Sequence, residues 1–142
     1  MKRLLLAAAL AAAPLLAAEP DYWARLRAAI ESHLGRPYVW GATGMKSFDC
    51  SGFVWRVYCE SGALLKRTTA RKLWFSLPQA PQGREYAFGN LVFFNDLKHV
   101  GIVNDRGSFY HAETSVGTNL SRFTPFWQRQ VVGLRAAPSS GQ

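Results

Sequence analysis

The apolar positions in the first half of the chain recur at helical spacing. Between residues 20 and 34 they lie three or four positions apart: Trp23, Leu26, Ile30 and Leu34. Gly35 follows them as a stop signal. This pattern predicts an amphipathic helix over residues 20–34 that packs on the domain through one face.

A second helix is predicted to begin at Cys50. Asp49, directly before it, is a favourable N-cap residue, and the pair Ser61-Gly62 ends the segment. The apolar stripe between these signals has four members: Phe53, Val54, Val57 and Tyr58. The pattern therefore places Cys50 in the first turn of a helix.

The middle of the chain changes from a short helix to a loop. Residues 64–77 predict a third helix, which is capped by Thr68 or Thr69. Residues 78–89 contain two prolines and two glycines and are typical of a surface loop. At the other end of the chain, residues 138–142 are predicted to form a disordered tail.

Apolar runs in the second half are short and favour β-strands. We predict four of them, at residues 91–94, 99–103, 108–112 and 131–137. Helices therefore come first in the chain and antiparallel strands afterwards. This order predicts an α+β fold rather than a parallel α/β sheet.

The N-terminus reads MKRLLLAAALAAAPLLAAEP, with two basic residues, an apolar run and then small residues. We interpret residues 1–18 as a signal peptide that is cleaved after Ala18. A retained membrane anchor is the alternative, but Pro14 interrupts the run, which is short for a bilayer span of ~20 apolar residues. Residues 19–137 then form a single domain of common size.

Positive charge exceeds negative charge in this chain. The formal charge is +8, and it falls to +6 when Lys2 and Arg3 leave with the signal peptide. The basic residues are spread along the sequence without the dense block that marks a nucleic-acid-binding arm. The excess predicts attraction to an anionic polymer or a membrane surface, or serves solubility alone.

The two cysteines are nine positions apart on one predicted helix. At ~1.5 Å per residue this separates Cys50 from Cys59 by roughly 13 Å, whereas a disulfide needs Cα atoms within about 7 Å. Both thiols are therefore expected to be free. We interpret Cys59 as a small buried residue near the helix end.

Residues 99–112 predict a hairpin that carries two histidines. If its turn centres on Asp105, His99 lies opposite His111, and Phe109 lies opposite Gly101. Directly opposed side chains share a face and have Cβ atoms ~5 Å apart. The two imidazole rings are therefore predicted to be neighbours.

Cys50 and these histidines are candidates for nucleophilic catalysis. A thiol in the first turn of a helix, close to an imidazolium, has a lowered pKa, so we expect thiolate at neutral pH. The thiolate would attack an amide carbonyl, while His99 carries the proton to the leaving amine and His111 orients His99. The backbone N–H of Cys50 would stabilise the oxyanion.

Simpler interpretations remain for each residue. Cys50 alone is more often a buried structural thiol, and His99 alone fits a strand histidine bonded to a backbone carbonyl. A Cys/His metal site from Cys50, His99 and His111 has suitable ligand types but lacks the close paired spacings of structural zinc sites. His33 is assigned to an interaction at the first helix's C-terminus or to the surface.

Taken together, the motifs resemble the NlpC family of papain-like cell-wall cysteine peptidases. The resemblance runs from about Leu34 to Arg135 and rests on an ordered set of segments: RPYVWGATGMKSFDCSGFVWRVY, LLKRTT, GNLVFF and HVGIVNDRGSFYHAETSVG. It implies a papain-like core in which Cys50 is the nucleophile, His99 the base and His111 the third, polar residue.

The resemblance also assigns substrate contacts. Tyr38 and Ser51 match positions that line the substrate site in such enzymes, and Asp49 matches one that can hold a free amine or amide of a peptide stem. One position departs from the family pattern, because many relatives have aspartate where this chain has Asn90. If that aspartate orders the active-site loops through its charge, the change reduces activity; if it caps a turn, asparagine serves almost as well.

The resemblance implies an exported endopeptidase that cuts peptidoglycan stem peptides at the bond between D-γ-glutamate and a diamino acid. It implies no metal or cofactor. We expect a monomer in the periplasm or at the cell wall, with no stable membrane insertion after signal cleavage and no nucleic-acid partner. Two alternatives remain open: a catalytically weak or inactive wall-binding module, and an amidase or acyltransferase that acts on a non-wall substrate.

Overall fold

The computed structural model describes residues 18–42 and 46–140. Within those residues, helices precede most of an antiparallel sheet, which confirms the α+β class. The elements in chain order are α1 (Ala18–Ser32), α2 (Cys50–Glu60), α3 (Ala70–Ser76), β1 (Leu91–Phe94), β2 (His99–Asp105), β3 (Ser108–Glu113), β4 (Gly117–Arg122), α4 (Pro125–Gln130) and β5 (Val131–Arg135).

The strands form one sheet in the order β4-β3-β2-β1-β5, and all neighbours are antiparallel. Alternate side chains of the central strands point to opposite faces. On one face, residues such as Phe93 and Ile102 pack against α1 and α2. On the other face, Phe94, Val103 and Phe109 pack under Trp127 of α4. The sheet is therefore covered on both sides at its centre.

The predicted first helix is confirmed as α1. Leu26 and Ile30 are fully buried, as their spacing predicts, and Tyr22 joins them. Leu34 was wrongly included in the buried stripe, because it lies beyond the last helical residue and is exposed. Of the predicted signal peptide, residues 1–17 lie outside the described residues.

The second and third helices also begin where their caps predict. Asp49 Oδ1 accepts a hydrogen bond from the backbone N–H of Gly52 at 2.6 Å, so α2 begins at Cys50. Thr69 is the residue that caps α3, where its hydroxyl accepts from the N–H of Lys72 at 3.2 Å. Both caps satisfy backbone donors that a helix leaves without internal partners.

The predicted hairpin exists, but its register differs from the prediction. Val103 pairs with Phe109, and Asp105 pairs with Ser108. Ile102 and Val103 thus face β3 residues two positions later than predicted, and Asp105 faces one three positions later, so Phe109 does not lie opposite Gly101. The reason is a tighter turn, in which Asp105 Oδ1 accepts from the backbone N–H of Gly107 and from the Ser108 hydroxyl, both at 2.8 Å.

Two elements were not predicted, β4 and α4. Strand β4 pairs with β3 over its whole length, from Ser108↔Arg122 to Glu113↔Gly117. Helix α4 is capped by Thr124, whose hydroxyl accepts from the N–H of Trp127. Together they extend the sheet at one edge and cover the face that α1 and α2 leave open.

The C-terminal segment packs on the domain as far as the description extends. Pro138 is buried, and its carbonyl accepts a hydrogen bond from the Tyr22 hydroxyl at 2.7 Å. Ser140 forms a β-bridge with Ala63. Residues 138–140 therefore differ from the predicted disordered tail, while residues 141–142 lie outside the described residues. Among residues 18–42 and 46–140, no helix has both the length and the apolar character to cross a membrane.

Candidate active site

Cys50 lies at the N-terminus of α2 and faces a groove of about 930 Å³. The groove is an open cleft between the start of α2, the segment before α3 and the turn after β1. The Cys50 side chain is largely buried at its floor, and its thiol donates a hydrogen bond to the Lys98 carbonyl at 3.8 Å. The sulfur therefore sits against the backbone that immediately precedes His99.

The electrostatic surroundings hold this thiol protonated at rest. Burial raises the pKa of Cys50, and the carboxylate of Asp49 adds to the rise, whereas backbone N–H groups including that of Val100 oppose it. This rise of the Cys50 pKa is opposite to the predicted fall, from which thiolate at neutral pH was expected. That expectation counted the helix dipole and a nearby cation but omitted the cost of desolvating the charge.

His99 and His111 contact each other, and His99 directly follows Lys98, whose carbonyl Cys50 contacts. The distance between Nε2 of His99 and Nδ1 of His111 is 2.8 Å, and the ring centroids are 5.1 Å apart. Burial lowers the pKa of His99 to about 4. Burial, and secondarily the neighbouring His99 ring, lower the pKa of His111 to about 3. Both rings are therefore neutral at pH 7, and one must donate to the other.

The two rings meet by a diagonal contact rather than as a directly opposed pair. Continuing the observed register places Gly101, two positions from His99, opposite His111. Because the register differs from the prediction by two positions, His99 and His111 keep the same face of the sheet. Gly101 leaves the necessary room, since a Cβ there would lie 2.9 Å from the Tyr110 carbonyl oxygen and 3.4 Å from the His111 Cβ.

An aromatic wall encloses the histidine pair. The ring of Trp127 stacks on His99 with centroids 5.8 Å apart, and it meets His111 edge-on at 5.1 Å. Phe109 lies 4.6 Å from the His111 ring centroid, and Phe94 packs against Trp127. These side chains keep water from the rings, which is the physical origin of their lowered pKa values.

Comparison with known proteins identifies the family. A family model for NlpC/P60 proteins matches residues 35–136 of the chain. The chain belongs to the NlpC/P60 family. A probable endopeptidase of Corynebacterium glutamicum is 37% identical over 93 residues, which cover 61% of this chain and 41% of that protein. The probable peptidoglycan endopeptidase LytE of Bacillus subtilis is 32% identical over 107 residues, or 72% of this chain and 30% of LytE.

A solved structure agrees with the family assignment. The crystal structure of a lipoprotein-like NLP/P60 family protein from Staphylococcus aureus superposes with a TM-score of 0.73 at 27% identity. The match covers 84% of this chain and 42% of the other. The papain-like NlpC/P60 fold is thereby confirmed. The matched part of this NlpC/P60 chain spans less than half the length of each of these three relatives.

The groove of this NlpC/P60 domain contains the three residues that were predicted to bind substrate. Tyr38, Asp49 and Ser51 all line it beside Cys50. The carboxylate of Asp49 is already engaged, because besides capping α2 it accepts from the backbone N–H of Gly41 at 2.9 Å. Its role in binding a peptide amine stays a prediction.

Arg67 is a groove residue that the sequence analysis missed. Its guanidinium lies 2.8 Å from Asp49 Oδ1 and donates to the Ser51 hydroxyl at 2.9 Å. Arg67 therefore holds two of the predicted substrate-binding side chains in place. The signal was present in the segment LLKRTT, where a basic residue stands two positions before the helix cap Thr69.

The turn between β1 and β2 is a second feature that the sequence did not reveal. Asn95, Asp96 and Leu97 all have left-handed backbone conformations, with φ of 49°, 53° and 63°. Such a run of non-glycine residues costs about 1–2 kcal/mol per residue. It is held by a hydrogen bond from the Asn95 N–H to the Gln130 carbonyl at 2.9 Å and by burial of Leu97. The turn aims the Lys98 carbonyl at Cys50.

Three other candidate residues lie away from the groove. His33 is buried beyond the end of α1, where its Nε2 lies 3.0 Å from both carboxylate oxygens of Glu60. Cys59 is half-buried and free, and its thiol donates to a backbone carbonyl at 3.4 Å. Asn90 directly precedes β1, at the opposite end of that strand from Phe94, which pairs with His99. Across residues 18–42 and 46–140, no cluster of three or more His, Cys, Asp or Glu residues is arranged to hold a metal ion.

Proposed function

We propose that this chain is an exported cysteine endopeptidase that hydrolyses peptidoglycan stem peptides. The observation that carries the proposal is the position of Cys50 at a helix N-terminus, on the floor of an open groove and against the Lys98 carbonyl. Lys98 immediately precedes His99, whose ring contacts His111. A merely structural thiol would not need a groove of this size in front of it. Membership of the NlpC/P60 family and the name of the relative LytE point to the same substrate class.

The proposed reaction begins with the transfer of a proton. Since Nε2 of His99 is engaged by His111, Nδ1 is the nitrogen left to accept the proton from the Cys50 thiol. The sulfur attacks the scissile carbonyl carbon, and the developing oxyanion accepts a hydrogen bond from the Cys50 backbone N–H. General-base activation of this kind suits a resting pair in which both partners are neutral.

The remaining steps complete one turnover. The C–N bond breaks, His99 gives its proton to the leaving amine, and the acyl group stays on the sulfur as a thioester. Water then attacks the thioester while His99 accepts its proton, and the acid leaves as the thiol is restored. The proposed bond joins D-γ-glutamate to a diamino acid, so the products are a free glutamate carboxylate and a free diamino acid amine.

The proposal also covers the place of action. The predicted signal peptide at residues 1–18 supports export, to the periplasm or to the cell wall. The formal charge that remains after the proposed cleavage, +6, favours contact with an anionic polymer such as the wall. The enzyme is proposed to act as a monomer, because Cys50, His99 and His111 all come from one chain.

Mass spectrometry of purified sacculus fragments tests the proposal. Wild type should release new products that carry a free diamino acid amine, and Cys50→Ser should release none. Cys59→Ser is the matched control, because it removes the other thiol, which lies away from the groove, and should keep activity. Pull-down by sacculi without products would indicate a binding module instead. Neither products nor binding would indicate a non-wall substrate for the same three residues.

A further inference from the structure

The polar side chains beyond His111 form a continuous chain of hydrogen bonds. His111 Nε2 lies 2.8 Å from the hydroxyl of Ser121, and that hydroxyl lies 2.8 Å from Oδ1 of Asn119. The amide nitrogen of Asn119 donates to the Gly117 carbonyl at 2.9 Å and to Glu113 Oε2 at 3.4 Å. The family resemblance assigns none of these outer residues a role.

Strand geometry explains why these side chains meet. Asn119 lies directly opposite His111 in the β3–β4 pairing, and Ser121 lies two positions further along β4. Glu113 is two positions from His111 on β3. Because side chains two apart on a strand point to the same face, all four lie on one face of the sheet. The chain of hydrogen bonds therefore follows from the pairing of β3 with β4.

The direction of every hydrogen bond in this chain is fixed at its outer end. The Gly117 carbonyl and the Glu113 carboxylate only accept, so they require the NH₂ group of Asn119. The amide oxygen of Asn119 then faces Ser121 and must receive the one hydroxyl proton. The Ser121 oxygen is left as the acceptor for His111.

This direction determines which nitrogen of each imidazole carries the proton. His111 donates from Nε2 to Ser121, so its Nδ1 is unprotonated and accepts from Nε2 of His99. His99 therefore carries its proton on Nε2, and its Nδ1 has a free lone pair. The opposite arrangement would place a proton on Nδ1 of His99, which could not then act as a base.

We infer that Ser121 and Asn119 are positioning residues that fix the tautomer of His111 and, through it, the base form of His99. The role of His99 as base rests on the proposed function, whereas the tautomers can be measured on the resting protein. Ser121 acts through His111, since neither it nor Asn119 lines the groove in which the substrate is proposed to bind. Its loss should therefore lower kcat and leave KM unchanged.

Nitrogen NMR of the histidine rings tests the inference directly. Long-range ¹H–¹⁵N spectra distinguish a protonated ring nitrogen from an unprotonated one, and the whole chain has only three histidines. In the wild type, His99 and His111 should both carry the proton on Nε2 at neutral pH. A proton on Nδ1 of His111 would overturn the inference, whatever the activity of the protein.

Variants of Ser121 supply the second measurement. Glu113 Oε2 lies 3.7 Å from His111 Nε2 and can replace the hydroxyl as acceptor, so Ser121→Ala is combined with Glu113→Ala. The double variant should mix the two tautomers of His111 and lower kcat roughly tenfold, the rate equivalent of one lost hydrogen bond. Ser121→Thr keeps a hydroxyl. Combined with Glu113→Ala in place of Ser121→Ala, it should restore the single tautomer of His111 and the value of kcat.

Ser108→Ala is the matched control. Ser108 is another serine of the same sheet with two hydrogen bonds of 2.8 Å, to Asn104 and Asp105, but it has no contact with the histidines among the hydrogen bonds of the described residues. This variant should leave the tautomers and kcat unchanged. Unchanged tautomers in the Ser121/Glu113 double variant would refute the positioning role. Absence of wall activity in the wild type would instead refute only the proposed function.

Discussion

Acid should destabilise this protein through its buried histidine pair. The pKa of His99 is lowered to about 4 and that of His111 to about 3, while an exposed histidine in the unfolded chain has a pKa of about 6.5. Between pH 7 and pH 5 the unfolded chain therefore binds protons at these rings, and the folded chain does not. Linkage then lowers the free energy of unfolding by about 2 kcal/mol for each ring over this interval.

The double variant His99→Asn/His111→Gln isolates this contribution. It removes both titrations, whereas His33 and all carboxylates remain in both proteins, so their effects cancel in the comparison. Urea unfolding followed by far-ultraviolet circular dichroism gives the free energy of unfolding at pH 7, 6 and 5. The wild type should lose about 4 kcal/mol more than the double variant between pH 7 and pH 5.

A single variant keeps the test independent of the absolute stability of the double variant. His111→Gln removes one titration and should remove about half of the extra pH dependence. The free energies of unfolding of wild type and double variant could instead fall by the same amount between pH 7 and pH 5. In that case the rings bind protons in the folded chain as readily as in the unfolded chain. The reasoning that burial keeps them neutral would then be wrong.

Three further predictions follow from contacts near α2 and β1. Gly52→Ala places a Cβ 2.2 Å from the carbonyl oxygen of Ala42, so chemical denaturation should show a loss of about 1–3 kcal/mol, and unchanged stability would contradict the fit. Asn90→Asp removes the amide donor of two hydrogen bonds to backbone carbonyls, so the free energy of unfolding should fall by about 1–3 kcal/mol while kcat/KM stays unchanged. A large loss of kcat/KM in a folded variant would contradict this prediction. Because burial raises the pKa of Cys50, iodoacetamide should alkylate it with an apparent pKa above that of an ordinary thiol, and a fast plateau at neutral pH would reveal preformed thiolate.

The sequence predicted those parts of the site that depend on local rules. Asp49 caps a helix wherever its side chain can reach the N–H groups of the first turn, so the position of Cys50 followed from neighbouring residues alone. The meeting of His99 and His111 depended on the face of the sheet rather than on the precise register. An error of two positions preserves the face, so the contact was predicted correctly from a wrong pairing.

The missed elements lack the pattern that sequence reasoning uses. Strand β4 reads GTNLSR, and its one large apolar side chain, Leu120, is exposed. The strand lies at an edge of the sheet, and one of its faces carries the polar side chains that lead to His111. None of the six residues of α4 is fully buried, so no apolar stripe marks it. The pair Thr124-Pro125 was a usable signal for the start of α4, since threonine caps helices and proline favours their first turn.

The direction of the Cys50 pKa shift was predicted wrongly, and the cause of this error is general. The helix N-terminus stabilises a thiolate by about 1 kcal/mol or less at an exposed site, whereas transferring an unpaired charge into an apolar site costs several times more. Burial cannot be read from the short segment around Cys50, because Leu97 and the Lys98 carbonyl come from a turn almost fifty positions later. Desolvation was therefore omitted from the prediction.

Asn90 bears on whether the chain has kept catalytic turnover. Its amide nitrogen donates to the carbonyls of Arg84 and Glu85 at 3.0 and 3.1 Å, and its amide oxygen accepts from the N–H of Ala137. An aspartate could accept but could not donate, so the local contacts suit asparagine better than aspartate. Asn90 precedes the first residue of β1, whereas His99 pairs with the last residue of that strand, Phe94. The departure from the family pattern therefore concerns the support of a remote loop, and it gives no structural reason to expect a weakened histidine pair.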